Sequence, residues 1–360
     1  MKIVIEPQIY PNETLSSWLI RGSILNGSQP NDWTYLLFKD NRIWNKDIDR
    51  FLSKEKLTLL SKNCSKSIKE LKGMTLEPLI EKIFKDENQN PLKSWNFVLS
   101  VGQRGGYKKN GMYFCPLCLS NEKNSYFRLE NKLAWNTSCL IHNIKLLQRC
   151  ENCNKNFTPH KITYDKTKIY LCTNCGYDLR NSKTEVCNLE IQNFQTKLNK
   201  AIFENIVDEN FPLIEFSIEE LFKTLRILLS FIKALFRVNK YECLLNILNL
   251  SIPNDSLESI NNSSTSFEEM HIKDREFLIL ISSKLFNLKI YEIKEIFEKL
   301  NFSYKLVANQ STLTSKTISY LSKDLKINTK NKILIIKQSK ILPKSADEVN
   351  KLLEELKSWL

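Results

Sequence analysis

The chain has 360 residues, of which 42% are hydrophobic and 26% charged, values ordinary for a soluble globular protein with room for two or three domains. The amino terminus, MKIVIEPQIYPNE, has neither the apolar run nor the small-residue cleavage site of a signal peptide, so a cytoplasmic protein with reduced cysteines is expected. A net charge of +13 points to an anionic partner, nucleic acid first, but lysine is spread along the whole chain and its placement carries more than its total.

Residues 10–21, YPNETLSSWLIR, read as a capped helix start. Asn12 is a suitable N-cap, Glu13 sits well against the helix dipole, and Leu15, Trp18 and Leu19 recur at helical spacing. Gly27 is a plausible stop. Short helices follow over residues 33–38, 57–60 and 76–84, the last broken near Pro78, without strand alternation. A helical N-terminal domain over residues 1–111 is the expectation. Its last ten residues, GQRGGYKKNG, hold four of the eight glycines. Arg104, Lys108 and Lys109 around Tyr107 can approach a phosphate backbone there, and a flexible connector fits the string equally. No Ser or Thr follows in the manner of a P-loop.

Eight of the thirteen cysteine and histidine residues then fall in four pairs: Cys115 and Cys118, Cys139 and His142, Cys150 and Cys153, Cys172 and Cys175. Each pair encloses two residues, and the intervals between partnered pairs are 20 and 18 residues. A tight turn aims both members at one ion, so the spacing predicts two consecutive tetrahedral Zn2+ sites, the first with three cysteines and a histidine, the second with four cysteines. Residues 112–187 are therefore read as a tandem zinc-binding module with short β-hairpins. Tyr113, Phe114, Tyr126, Phe127 and Trp135 interleave with the ligands, either as a stacking surface for bases or as the small core such a module needs. His160 and Cys187 stand outside the pairs and are read as bystanders.

Helix resumes over residues 188–250. Residues 221–238 are apolar enough to raise the question of a membrane span, but Lys223, Arg226, Lys233 and Arg237 share one face and make an amphipathic helix instead. Residues 251–270 read as a linker, from their Ser, Asn and Pro content. A helical C-terminal domain, residues 271–360, follows, with amphipathic helices over 274–286 and 291–300. Ser315 can cap a helix carrying Ile318, Leu321 and Leu325, and a second helix over 330–340 would complete a helix-turn-helix-like segment. Residues 303–344 contain nine lysines and one acid. Lys316, Lys323, Lys330, Lys332 and Lys337 are candidate DNA-backbone contacts, and a helical hairpin with a basic face fits the same residues. The fold class is thus mainly α.

No catalytic constellation is recognisable. HExxH, GxSxG and Walker sequences are absent, and four protein ligands per zinc leave no position for water, so no enzyme is expected.

With these motifs placed, the chain resembles the TniQ family of transposition proteins. Pro11, Asn12, Glu13, Leu15, Ser16, Ser17, Trp18, Leu19 and Arg21 carry one part of the resemblance. The run from Cys115 and Cys118 through Tyr126, Phe127, Arg128, Trp135, Cys139, His142, Leu146, Cys150 and Cys153 carries the other. Asn143 and Asn154 stand where the family often has glycine; asparagine tolerates the left-handed backbone such turns need. The resemblance implies an adaptor that links an RNA-guided CRISPR effector complex at target DNA to a AAA+ regulator of the TnsC type, in some systems as a homodimer. A TnsD-like sequence-specific DNA-binding target selector, or a zinc-containing transcription regulator, is the alternative.

Overall fold

Twelve α-helices among the described residues carry the fold of the computed structural model, which describes residues 2–84, 95–99, 101, 103–104, 107–108, 112–121, 125–164, 168–252, 260, 265–302 and 314–323. Five short helices come first: α1 (Leu15–Leu25), α2 (Pro30–Phe38), α3 (Lys54–Asn63), α4 (Ile68–Gly73) and α5 (Glu77–Ile83). Thr14, not Asn12, caps α1. Its backbone is extended and its hydroxyl accepts the Ser17 N–H at 3.2 Å, whereas Asn12 lies two residues outside the helix in the left-handed region, at φ 53°. The stop falls as expected, with Asn26 as C-cap and Gly27 at φ 63°. Pro78 does not break α5 but sits in its first turn, where a missing N–H costs nothing. Leu15, Trp18, Leu19, Trp33, Leu37, Leu57, Leu60 and Leu71 close a core of their own among these helices. Gly22 lets α1 and α2 approach: a Cβ there would lie 2.6 Å from the Trp33 ring.

The later helices are α6 (Pro116–Leu119), α7 (Leu189–Asn199), α8 (Ile218–Arg237), α9 (Tyr241–Ile247), α10 (Ile272–Phe286), α11 (Ile290–Lys299) and α12 (Lys316–Ser322), and a π turn, Lys200–Glu204, extends α7. Helix α8 is the axis of the main core and packs against α5, α9, α10 and α12. Leu221, Phe222, Leu225, Leu228, Phe231, Ile232 and Leu235 are all buried on it. Three of its four cations are partnered: Lys223 with Glu219 at 2.6 Å, Arg226 with Glu268 at 2.7 Å, and Lys233 with the Thr265 carbonyl. The segment around the 3-10 turn Phe267–Glu269 covers that face, with Phe267 and Met270 buried. Glu268 also accepts the Phe97 N–H at 2.7 Å. Phe97 has φ 63°, a backbone that costs a bulky residue of order 1 kcal/mol, and is held in it by edge contacts to Trp135, Phe222 and Phe267.

Met1–Leu325 form one unit, and the main apolar cluster runs through it from Leu76 to Leu321. Strand is scarce. Gln103–Arg104 (β1) and Tyr107–Lys108 (β2) pair antiparallel in the glycine-rich string, and where short hairpins are expected the described residues of 112–187 contain isolated antiparallel bridges, among them Ser138 with Lys145, Arg149 with Asn156 and Leu171 with Asp178. No helix among the described residues is long and apolar enough to cross a membrane.

The expected cap of the C-terminal helix is present, since Ser315 accepts the Ile318 N–H at 3.1 Å. What seats α12 was not legible: the buried Glu220 of α8 accepts the Ser315 hydroxyl at 2.7 Å and the Lys316 and Thr317 N–H groups at 3.1 and 2.7 Å. Burial works against this carboxylate, but those donors outweigh it and hold its pKa below the usual range. Glu220 therefore stabilises the seat above the ordinary carboxylate pKa, and the contribution fades as pH falls through the lowered one. Glu220→Gln is expected to cost about 1–3 kcal/mol and to speed amide hydrogen exchange over residues 316–322, as acidification does in the unaltered chain.

Candidate metal centres and their joint to the N-terminal helices

Three of the four ligand pairs are built on one backbone pattern. The Cys139 N–H donates to the Ile144 carbonyl at 2.8 Å and the Asn143 N–H to the Cys139 carbonyl at 2.9 Å. Cys150 and Cys172 repeat it with Lys155 and Asn154, and with Tyr177 and Gly176. The residue that closes each turn is left-handed: Asn143 at φ 54°, Asn154 at 52°, Gly176 at 76°. Asparagine thus takes the glycine position at two of three knuckles, as its tolerance of that region allows. The first pair differs, because Cys115 is the N-cap of α6 and its Sγ accepts the Cys118 N–H at 3.4 Å.

The four pairs converge as two clusters, each with four donor atoms within 4.8 Å of one another. In the first, His142 Nδ1 lies 3.5, 3.4 and 3.5 Å from the sulfurs of Cys115, Cys118 and Cys139, and the sulfurs of Cys118 and Cys139 are 3.6 Å apart. In the second, Cys150 and Cys175 are 3.6 Å apart and Cys153 and Cys172 3.7 Å. A disulfide would bring two sulfurs to about 2.05 Å, and all ten cysteines are free. A tetrahedral ion with metal–sulfur distances of about 2.3 Å needs edges of about 3.8 Å, so both donor sets can hold a metal ion. Hydrogen bonds to Cys118 and Cys139, then burial, hold the Cys115 thiol far above its usual pKa; accepting such bonds pulls Cys139 down to about 2. A divalent cation would replace those shared protons, which makes affinity fall with pH.

The two clusters sit in different surroundings. Cys115 and Cys139 belong to the main core. Helix α7 lies against the first cluster with three inward amides: Gln192 donates to Asn143 at 2.6 Å, Gln195 to Thr137 at 2.7 Å, and Asn199 to Asn136 at 2.8 Å. The second cluster closes a smaller core of Phe157, Ile162, Ile169 and Leu179, to which α1 lends Ile20. Tyr113, Phe114, Phe127 and Trp135 are all buried, so these aromatics are core and not a stacking surface. Among the bystanders, Cys187 is buried and His160 stacks on Trp44 at 5.2 Å. Burial, then the Lys161 cation, hold His160 down to about 4.

Between the clusters and the N-terminal helices lies a joint written by the two motifs quoted above. Residues 12–14 run antiparallel to residues 127–129: Thr14 N–H donates to the Phe127 carbonyl at 2.9 Å and Leu129 N–H to the Asn12 carbonyl at 2.8 Å, around a bridge between Glu13 and Arg128. Glu13 is buried. It accepts the Ser17 hydroxyl at 2.8 Å, the Tyr10 N–H at 3.1 Å and the Arg21 guanidinium at 2.7 Å, and Ser17 in turn accepts the Phe127 N–H at 3.0 Å. Outside this, Tyr10 and Tyr126 stack at 5.0 Å, capped by Arg21 and Arg128 at 4.2 and 4.6 Å. A second tie is ionic. Lys132, fully buried, pairs with Asp47 and with Asp49 at 3.2 Å, and Asp49 also accepts the Ser16 N–H at 2.6 Å. Burial opposes the Lys132 ammonium, but the two carboxylates prevail and keep it above the usual lysine range.

The expected DNA contacts are not gathered by the described residues. Arg104 and Lys108 fall on β1 and β2, Lys316 pairs with Glu215, and Lys323 ends α12. Lys109, Lys330, Lys332 and Lys337, with the second helix of the helix-turn-helix-like segment, lie outside the described residues.

Fold and site together define a mainly helical protein built around two closed clusters of four cysteine or histidine ligands. Residues 4–146 match the TniQ family model. The match takes in the joint and the whole first cluster and ends before Cys150. Comparison with curated proteins gave no match. The left-handed knuckles supply a test of the metal centres: Asn154→Val is expected to cost about 1–2 kcal/mol by thermal unfolding, and Asn154→Gly almost nothing.

Proposed function

We propose that this chain is a non-catalytic transposition adaptor, linking an RNA-guided CRISPR effector complex at target DNA to a AAA+ regulator of the TnsC type. The observation that carries the reading is the TniQ match over residues 4–146, laid on the joint and the first cluster. Proteins of that family serve transposition as adaptors or in target selection. The two metal ions are zinc: three sulfurs and an imidazole, and four sulfurs, suit a tetrahedral, borderline-soft, redox-inert ion. Four protein ligands at each leave no site for substrate or water, so the metals brace rather than react. A braced, rigid joint is what an adaptor needs, because it must hold two partner surfaces in fixed relation. DNA is touched through its backbone, by lysines rather than base-reading arginines, and the chain works as a homodimer.

Metal analysis of the purified chain should return two zinc per chain; one or none contradicts the eight-ligand assignment. Chelation should unfold the central module, since structural zinc supplies on the order of 10–16 kcal/mol to such folds. Tagged chain is expected to co-purify with the AAA+ regulator and the effector, and to shift duplex DNA only weakly and in a salt-sensitive manner. Tight site-specific binding without an effector would instead make it a target selector of the TnsD kind.

A further inference from the structure

We infer that the second cluster is the exchangeable metal site, and that it acts as a metal-dependent clip holding the ribbon of residues 149–182 on the N-terminal helices. The inference rests on the metal reading above. The two clusters differ most in how a competing ligand would reach them. Cys175 is exposed and Cys153 half-buried in the second, whereas no ligand of the first is exposed. Chelators remove a metal by replacing its ligands one at a time, so the ion with an accessible sulfur is displaced first.

What lies around each cluster differs in the same sense. The first is embedded in the main core, and its knuckle is tied to α7 through Gln192 and Asn143. Among its described residues the ribbon buries Phe157, Ile162, Ile169 and Leu179 in its core besides the ligands Cys150 and Cys172, with Cys153, Tyr170 and Tyr177 half-buried against it. A segment of that size does not stay folded without its ion. When the metal leaves, the contacts the ribbon makes outward go with it. Its turn Pro159–Lys161 packs on α1 and α2, His160 stacks parallel to Trp44, and Phe157 meets Phe114 and Phe127 edge-on at 5.2 and 5.5 Å. The turn Leu179–Asn181 packs on α6, beside the first cluster. The ribbon thus braces the N-terminal helices and α6 together for as long as the second ion is bound.

The test uses the full chain loaded with zinc, its content measured first, then challenged with 4-(2-pyridylazo)resorcinol while released zinc and tryptophan emission are followed. One equivalent should leave in a fast phase that changes the Trp44 signal, assigned by its loss in Trp44→Phe, and the second in a slow phase. Cys175→Ala should hold one equivalent and show the slow phase alone. Cys175→His, which keeps a ligand, should retain both equivalents and so guards against a folding defect. The inference is overturned if both equivalents leave together, if the fast phase survives in Cys175→Ala, or if it passes without a change at Trp44. A starting content below two equivalents would sink the metal reading itself before any chelator is added.

Discussion

Glu13 is the point on which the first half of the molecule depends. Its carboxylate gathers the Ser17 hydroxyl, the Tyr10 N–H and the Arg21 guanidinium, and the Ser17 oxygen it positions accepts the N–H of Phe127 from the segment leading to the first cluster. Burial pushes this carboxyl above the usual range, and Arg21 and Ser17 bring it only part of the way back. A buried ion pair of this kind adds little net stability, yet removing one partner leaves an uncompensated charge at a cost of about 3–5 kcal/mol. Its role is to fix geometry: helix α1 can sit against residues 126–130 in one register only.

That constraint explains why two motifs more than a hundred residues apart occur in one family match. The N-terminal motif supplies Glu13, Ser17 and Arg21; the central motif supplies Tyr126, Phe127 and Arg128 beside the cluster of Cys115, Cys118, Cys139 and His142. Lys132 with Asp47 and Asp49 repeats the principle deeper in the structure. The metal-ligand geometry, the joint and the main core then form a continuous chain of contacts from α1 to α12. A scaffold of this kind holds the N-terminal helices in fixed relation to the first cluster.

The ligand pairs were legible because two-residue spacing and a 20- or 18-residue interval leave few other readings. The amphipathic helices were legible for the same reason of periodicity, although α4 carries too few apolar residues to announce itself. The inward amides of α7 escaped: Gln192, Gln195 and Asn199 lie at helical spacing on what reads as a solvated face, yet all are buried. So did the true cap of α1, where Asn12 and Thr14 are both chemically suited and only the fold chooses between them. Buried pairs between distant residues, such as Glu220 with Thr317 or Lys132 with Asp49, leave no local trace in a sequence. One signal was available, in that Glu13, Ser17 and Arg21 are spaced four residues apart, with Ser17 and Arg21 on one face of α1 and Glu13 just before its cap.

The most direct measurement of the central claim is amide hydrogen exchange in a Glu13→Gln chain. If this carboxylate couples the N-terminal helices to the first cluster, residues 15–25 and residues 126–133 lose protection together. Loss confined to residues 15–25, with residues 126–133 unchanged, would contradict the account.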